Sequence, residues 1–326
     1  MTRSGMRQAR LVAEELDAVT AVPPNSVDAA ISRLAEASPR AIAVVDGTHR
    51  LSYAELDGYA WHFADRVRAL DLADDAVAGV RLSSSWHLVV ALIGTLRAGA
   101  VTVPMPSHAL SIEDPPVVDV LSGLSVTSRP AGVAVWRDKG SAVTRGRLVT
   151  GPGLHALTSK VADELALTSG DVVLTTADTA DPSVFEEIVP VLLRGGTVAL
   201  AQDDRCTRDV AVFLDHARAS KATVVTLRAQ AWSVLAGMSG TRPWRVPATV
   251  RLVIVTGAGP VSNRNLDLWR RRHGIPLLHV CAPASASSRY LADAELDAQP
   301  ACGVTPDVVF GAAARLSRTT TVRQRI

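Results

Sequence analysis

The chain has 326 residues, of which 48% are hydrophobic and 20% charged, and its formal net charge is +2. This composition is typical of a globular protein with room for two lobes, and the near balance of charge argues against a nucleic-acid-binding protein. The three cysteines, Cys206, Cys281 and Cys302, are far apart and form no CxxC pair, which argues against disulfides or a zinc site and favours a reducing cytoplasm. The N-terminal residues carry charge throughout, and the longest apolar runs are too short for a membrane span, so we expect a cytoplasmic protein.

The first half of the chain predicts alternating helices and strands from about Val27 onward. Residues 1–24 are predicted to form an arm with one short amphipathic helix. Ser26 is expected to cap a helix that ends at Ala37, and Asp46-Gly47 favours a tight turn between strand 41–45 and a short partner ending near Tyr53. Apolar residues at helical spacing predict helices over 53–70 and 86–97, and strands are predicted at 77–82 and 100–103.

The second half repeats one period of strand followed by helix. Strands are predicted at 172–175, 197–201, 223–226, 251–255 and 276–280, and helices at 154–165, 183–193, 208–219, 229–236 and 263–273. The region 107–130 is rich in proline and serine, with one strand near 117–121. Regular alternation predicts an α/β fold with mostly parallel sheets. The side chains expected in its core are Val44, Val80, Leu92, Leu193, Val198, Val253 and Ile254.

The predicted organisation has three parts. Residues 25–307 form the folded body, with two lobes of roughly 25–165 and 166–307. The arm 1–24 precedes it, and the basic tail 308–326 is expected to be a solvated end.

Five segments carry recognisable motifs in a sensible order. They are LSYAELD (51–57), LVVALIGTLRAGAVTVPM (88–105), DPSVFEEIVPVLLRGGTVAL (181–200), RLVIVTGAGPVS (251–262) and PLLHVCAPASAS (276–287). Together they resemble the motifs of the adenylate-forming superfamily, in particular the adenylation domains of nonribosomal peptide synthetases. The resemblance implies two stacked βα lobes of an adenylation-domain N-terminal subdomain. The C-terminal subdomain is expected to be absent, because no TGD triplet occurs and no lysine follows Lys221 to serve as the catalytic lysine.

The segment 134–157 resembles the region around the family's phosphate-binding loop without a gap, but the loop itself differs. The resemblance implies a Thr/Ser/Gly core whose backbone N–H groups and hydroxyls surround the triphosphate. The chain instead has Arg137, Asp138, Lys139, Gly140 and Ser141, followed by Ala142. The family's loop lysine aligns with Arg145, which could still meet a phosphate. Without the glycine-rich core we expect no useful binding of ATP.

The family's YGPTE motif aligns with residues 281–285. The positions implied for adenine stacking, for the α-phosphate and for Mg²⁺ are Cys281, Ala284 and Ser285, respectively. Replacing the glutamate removes the carboxylate oxygen that Mg²⁺ prefers. We interpret Cys281 as a small buried side chain and not as a nucleophile. No cofactor, no metal and no catalytic residue are therefore expected.

Four residues are expected to line the old substrate pocket: Asp181, Gly257, Ala258 and Gly259. The resemblance aligns Asp181 with the aspartate that binds a substrate α-amino group, but Asp181-Pro182 is also a good helix start, with a capping aspartate before a proline. Both interpretations stay open. The glycines do not form a dinucleotide fingerprint, because Pro260 follows them and the third glycine is missing.

The favoured hypothesis is a catalytically inactive pseudo-adenylation protein that acts by contact in a nonribosomal peptide assembly line. Its expected partner is a synthetase, a carrier protein, a tailoring enzyme or an MbtH-like chaperone, with a homodimer also possible and with no nucleic acid or membrane partner. Arg97 and Arg289 are expected on the contact surface. One alternative is a binder of an amino acid or acyl group, or an ATP-independent enzyme that reuses the old pocket. A weaker one is a split adenylation enzyme completed in trans.

Overall fold

The computed structural model describes residues 26–69, 76–82, 85–106, 117–125, 132–137, 145–176, 184–201, 206, 209–238, 245–256 and 262–280. The helices in these ranges are α1 Val27–Ala37, α2 Tyr53–Arg68, α3 Trp86–Arg97, α4 Gly151–Glu164, α5 Val184–Leu193, α6 Val210–Ala219, α7 Ala229–Met238 and α8 Asn263–His273. The strands are β1 Ile42–Asp46, β2 His49–Ser52, β3 Ala76–Leu82, β4 Val101–Pro106, β5 Val117–Ser125, β6 Gly132–Arg137, β7 Arg145–Thr150, β8 Val172–Thr175, β9 Thr197–Leu200, β10 Val224–Arg228, β11 Leu252–Thr256 and β12 Leu277–Val280.

The strands form two sheets. The larger has the order β12-β11-β10-β8-β9-β1-β2 and is parallel except for the β1–β2 hairpin. The smaller has the order β5-β3-β4-β6-β7, with a parallel centre and antiparallel strands at both edges. The predicted α/β fold with mostly parallel sheets is therefore confirmed. Val44 of β1 pairs with Val198 of β9, so the larger sheet takes strands from both sides of residue 165. The division into lobes at that residue stays a prediction.

Alternating side chains divide the core into two clusters on opposite faces of the larger sheet. Val224 and Leu252 belong to the cluster that also contains apolar side chains of α1–α5, whereas their neighbours Val225 and Val253 belong to the cluster shared with α6–α8. Successive side chains on a strand point to opposite faces, so two-sided burial requires these nearly continuous apolar runs. None of the helices within the described ranges is long and apolar enough to cross a membrane.

Local signals explain where several elements begin and turn. The Ser26 hydroxyl accepts a hydrogen bond from the Ala29 N–H and caps α1, as predicted. At α2, the Ser52 hydroxyl accepts from the Glu55 N–H while the Glu55 carboxylate accepts from the Ser52 N–H, which forms a capping box. Gly47 has a φ of 58° in the β1–β2 turn, a conformation that glycine adopts without strain.

The predicted core is largely confirmed. Five of the expected side chains are buried: Val44, Leu92, Val198, Val253 and Ile254. Leu193 is only partly buried, because it lies in the last turn of α5 at the rim of the core. The side chain of Val80 lies outside the described residues. Strands β6 and β7 were not predicted at all.

Candidate functional site

The carboxyl end of the larger sheet is where the predicted pocket positions converge. Strands β8, β10, β11 and β12 are parallel neighbours, so they all end at the same edge. Gly257, Ala258 and Gly259 directly follow β11, and Asp181 lies between β8 and α5. The carboxyl edge of an open parallel sheet is the usual ligand site in α/β proteins.

The positions aligned with YGPTE follow β12, the edge strand of the same sheet. Cys281 comes directly after Val280, and Ala284 and Ser285 follow it. None of the predicted pocket and nucleotide positions at this edge is itself among the described residues. The topology thus places the strand ends that precede Gly257 and Cys281, and the strand β8 that lies before Asp181, at one edge.

The segment aligned with the phosphate-binding loop joins two paired strands of the smaller sheet. Arg137 is the last residue of β6, Arg145 is the first of β7, and these two residues are opposite each other in the antiparallel register. The joining residues, among them Asp138, Lys139, Gly140 and Ser141, lie outside the described residues. The register therefore places two arginine positions at the base of this connection.

Two described side chains at the carboxyl edge were missed by the sequence analysis. Thr175, the last residue of β8, is buried, and its hydroxyl donates a hydrogen bond to the Glu187 carboxylate of α5. Glu187 stands where the family motif has an isoleucine, and a carboxylate in the apolar helix VFEEIVPVLL is the signal that could have found it. This carboxylate adds negative charge at the edge that carries the predicted pocket.

The motifs that serve packing are in direct contact with one another. The Tyr53 hydroxyl, from LSYAELD, lies 3.0 Å from the Leu192 carbonyl oxygen and 2.8 Å from that of Gly196, both in the motif 181–200. Burial of this phenol raises its pKa. A Cβ on Gly196 would lie 2.6 Å from Val191 and 2.9 Å from the Asp171 carbonyl oxygen, so only glycine fits at this contact without a shift of its neighbours.

The expectation that Arg97 lies on a contact surface is wrong. Its side chain is 2% exposed, and Nη2 lies 2.7 Å from the Asp57 carboxylate and 2.8 Å from the Ser32 hydroxyl. Nη1 donates to the Asp57 carbonyl oxygen at 3.0 Å. Arg97 joins α1, α2 and α3, because a buried guanidinium requires several acceptors and these helices supply them. Arg289, the other residue of that expectation, lies outside the described residues.

A second ionic contact lies at the opposite, amino-terminal edge of the larger sheet. The Asp171 carboxylate accepts hydrogen bonds from Arg251 Nε at 2.8 Å, from the Thr223 hydroxyl at 2.7 Å and from the Thr168 N–H at 2.9 Å. Partial burial alone would raise the pKa of Asp171, but the bonds from Arg251, Thr223 and Thr168, together with the Arg251 charge, lower it to about 2. This site ties together the starts of β8, β10 and β11 and is structural.

The described cysteine, Cys206, offers no catalytic pair. Its Sγ lies 3.6 Å from His216 Nδ1, but the same nitrogen is 2.9 Å from the Val212 carbonyl oxygen. A carbonyl oxygen only accepts, so Nδ1 carries the proton and cannot take one from the thiol. Within the described ranges, no three His, Cys, Asp or Glu side chains are grouped as a metal site requires.

Comparisons with known proteins agree with this architecture. The model of the family described as AMP-binding enzyme matches residues 31–111. The probable non-canonical nonribosomal peptide synthetase CymA of Salinispora arenicola is 38% identical over 84 residues, which is 26% of this chain and 1% of CymA. The crystal structure of the nonribosomal peptide synthetase FmoA3 matches 86% of this chain with a TM-score of 0.66 at 19% identity. The resemblance to adenylation domains is confirmed.

The match extends over part of each protein. The adenylation-like chain spans 33% of FmoA3 and about 1% of the curated synthetases that resemble it in sequence. It spans 75% of the N-terminal subdomain of Klebsiella oxytoca NpsA, with a TM-score of 0.64 at 16% identity. The shared fold is therefore that of an adenylation-domain N-terminal subdomain.

Proposed function

We propose that this adenylation-like chain is catalytically inactive and acts by contact within a nonribosomal peptide assembly line. The observation that carries the proposal is a contrast between two classes of motif position. The positions that pack the fold keep their contacts, as in the Tyr53 hydrogen bonds to Leu192 and Gly196. The positions that would hold the nucleotide carry other residue types, including Ser285 in place of the Mg²⁺ ligand.

The replaced positions bear on both halves of ATP-Mg²⁺. An aspartate at 138 adds negative charge beside the site of the triphosphate, and a single glycine, Gly140, leaves few positions where the backbone could approach phosphate closely. A serine at 285 offers a neutral hydroxyl, which is a poorer Mg²⁺ ligand than a carboxylate. Selection for folding without selection for nucleotide binding explains both observations.

The proposal is tested by calorimetry with ATP-Mg²⁺ and by amino-acid-dependent pyrophosphate exchange. We expect no saturable heat at millimolar ATP and exchange equal to the blank. As a control, the double variant Asp138→Ser, Ser285→Glu restores one family residue at each half of the site. Exchange by the native chain with any amino acid would refute the proposal. Exchange that appears only after adding a protein that bears an adenylation C-terminal subdomain would instead support a split enzyme.

The proposed partners are a synthetase, a carrier protein, a tailoring enzyme or an MbtH-like chaperone. Binding of each purified protein, encoded by the same genome, can be measured by titration calorimetry. We expect a stoichiometric complex with one of them. A homodimer would be detected by light scattering and would assign the contact to a second copy.

A second candidate function is a binder of an amino acid or another small ammonium compound. The Glu187 carboxylate, hydrogen-bonded to Thr175 at the carboxyl edge, favours it because a carboxylate attracts an ammonium group. A screen of amino acids by thermal shift would show stabilisation that is lost in both Asp181→Ala and Glu187→Gln. Absence of any shift in the native chain would leave the contact function as the better proposal.

A further inference from the structure

The outer face of α2 carries two aromatic side chains that the described packing leaves half uncovered. Tyr59 is 46% exposed and Trp61 is 47% exposed, whereas Tyr53 and Phe63 on the same helix are buried. Single exposed apolar side chains are ordinary, but two aromatic rings in one small area are the composition of an interface centre. We name this area, with the flanking side chains His62, Arg66 and Arg68, the α2 face.

Both rings are held in place by neighbours that are themselves fixed. The guanidinium of buried Arg97 lies 4.5 Å from the centre of the Trp61 ring, and that of Arg68 lies 5.7 Å from it. Tyr59 lies 5.3 Å from the Trp86 ring, which stacks on His87 at 3.8 Å. Rings that are already ordered lose little conformational entropy on binding, which favours affinity.

The charges of the α2 face continue from the aromatic end toward the C-terminus of the helix. Helical spacing puts His62 and Arg66 on the stripe that starts at Tyr59, and Asp65 and Arg68 on the stripe that starts at Trp61. Asp65 pairs with Arg68 at 2.9 Å, so its charge is compensated. A complementary surface therefore needs an apolar pocket beside carboxylates.

We propose that the α2 face is a docking site for a protein partner with an apolar pocket for Trp61 and Tyr59, flanked by carboxylates that face His62 and Arg66. This inference rests on the proposed contact function and specifies its surface. A protein fits better than a single-stranded nucleic acid, which needs a continuous basic groove. Asp57 and Asp65 lie on the same helix beside the Trp61 ring and interrupt such a groove.

The test uses the full chain and three purified probes from the same genome: the synthetase, the carrier protein and the MbtH-like protein. Titration calorimetry measures the Kd of each probe for the native chain and for Tyr59→Ala and Trp61→Ala. The matched control is Val234→Ala, because Val234 on α7 is also 47% exposed. We expect each aromatic variant to weaken binding about tenfold or more and the control to change Kd by less than about twofold.

The charged part of the α2 face is tested separately. Arg66→Glu should weaken binding and flatten its dependence on salt, whereas Arg40→Glu, at an exposed position outside α2, should do neither. Melting temperatures accompany every variant, because Trp61 also covers Arg97. Tyr59→Ala leaves the Arg97 contact intact and keeps the test valid if Trp61→Ala unfolds.

Three outcomes would overturn the inference. If a probe binds and neither aromatic variant weakens it, the contact function survives and the α2 face is not its surface. If no probe binds, the proposed contact function fails together with the inference. Self-association that Trp61→Ala abolishes, or binding of a short single-stranded DNA that depends on Trp61, would assign the α2 face to another occupant.

Discussion

Replacing Arg97 by glutamate tests the role of the buried guanidinium at the end of α3. The substitution would set a second carboxylate against Asp57, 2.7 Å from the present Nη2, and would leave the Ser32 hydroxyl and the Asp57 carbonyl oxygen without this donor. Removing one partner of a buried ion pair costs about 3–5 kcal/mol. A domain has about 5–15 kcal/mol of stability in total, so the loss would be a large fraction of it.

Urea unfolding followed by far-UV circular dichroism measures this loss. The matched control is Arg68→Glu, because Arg68 also contacts Trp61 but is 43% exposed, and its pair with Asp65 should contribute about 1 kcal/mol or less. In the double variant Arg97→Met, Asp57→Asn, part of the loss should be recovered, since no buried charge is then left unpaired. An Arg97→Glu variant that unfolds at the same urea concentration as the native chain would refute the reasoning and return Arg97 to the surface.

Further predictions concern the sheet and two helices. Asp171→Asn should cost about 1–2.5 kcal/mol above pH 4. Because the folded pKa is below the ordinary value of 3.8, the difference from the native chain should shrink as pH falls toward 2, and a pH-independent difference would contradict the Arg251 contact. Gly94→Ala should destabilise, since its Cβ would lie 2.8 Å from Phe63, whereas Gly58→Ala, with nothing within 4 Å, should stabilise by about 0.5–1 kcal/mol; equal melting temperatures would refute this. Ile254→Ala should cost about 2–5 kcal/mol in denaturant unfolding, and a cost below about 1 kcal/mol would contradict its burial.

Much of the fold could be predicted because local signals and packing agree. Helix α8 was predicted with its observed bounds: Ser262 caps its first turn and Gly274, with a φ of 62°, ends it. Helix α3 was also predicted with its observed bounds, since a run of apolar residues ends there at Gly99. Such agreement arises where capping residues and hydrophobic periodicity mark the same boundary.

Strands β6 and β7 and the burial of Arg97 were missed for a different reason. The segment 132–150 has few apolar residues at alternating positions, and its strands are defined by pairing with each other and with β4. An arginine in the last turn of a helix is ordinarily solvated. Only the approach of Asp57, forty residues earlier in the chain, makes Arg97 a buried residue. Both features depend on contacts that are distant in sequence.

The site was predicted in part. Alignment with the family motifs selected positions near the ends of β8, β11 and β12, and the topology brings those strand ends to one edge. The Thr175–Glu187 contact could not be derived, because a hydrogen bond between a strand end and a helix depends on how closely α5 packs on the sheet. The departure from isoleucine at 187 marks the residue but does not identify its partner.

The position of β1 in the larger sheet has a consequence for synthesis on the ribosome. Val44 pairs with Val198, so 154 residues separate the two strands in the chain. At about 5–20 residues per second, the inner edge of the β1–β2 hairpin would wait roughly 8–30 s before β9 exists to cover it. That edge carries unpaired backbone groups beside the apolar side chain of Val44, which is the combination that aggregates or recruits chaperones. The yield of folded protein should therefore depend on the rate of translation before residue 200 and on the chaperone supply of the expression host.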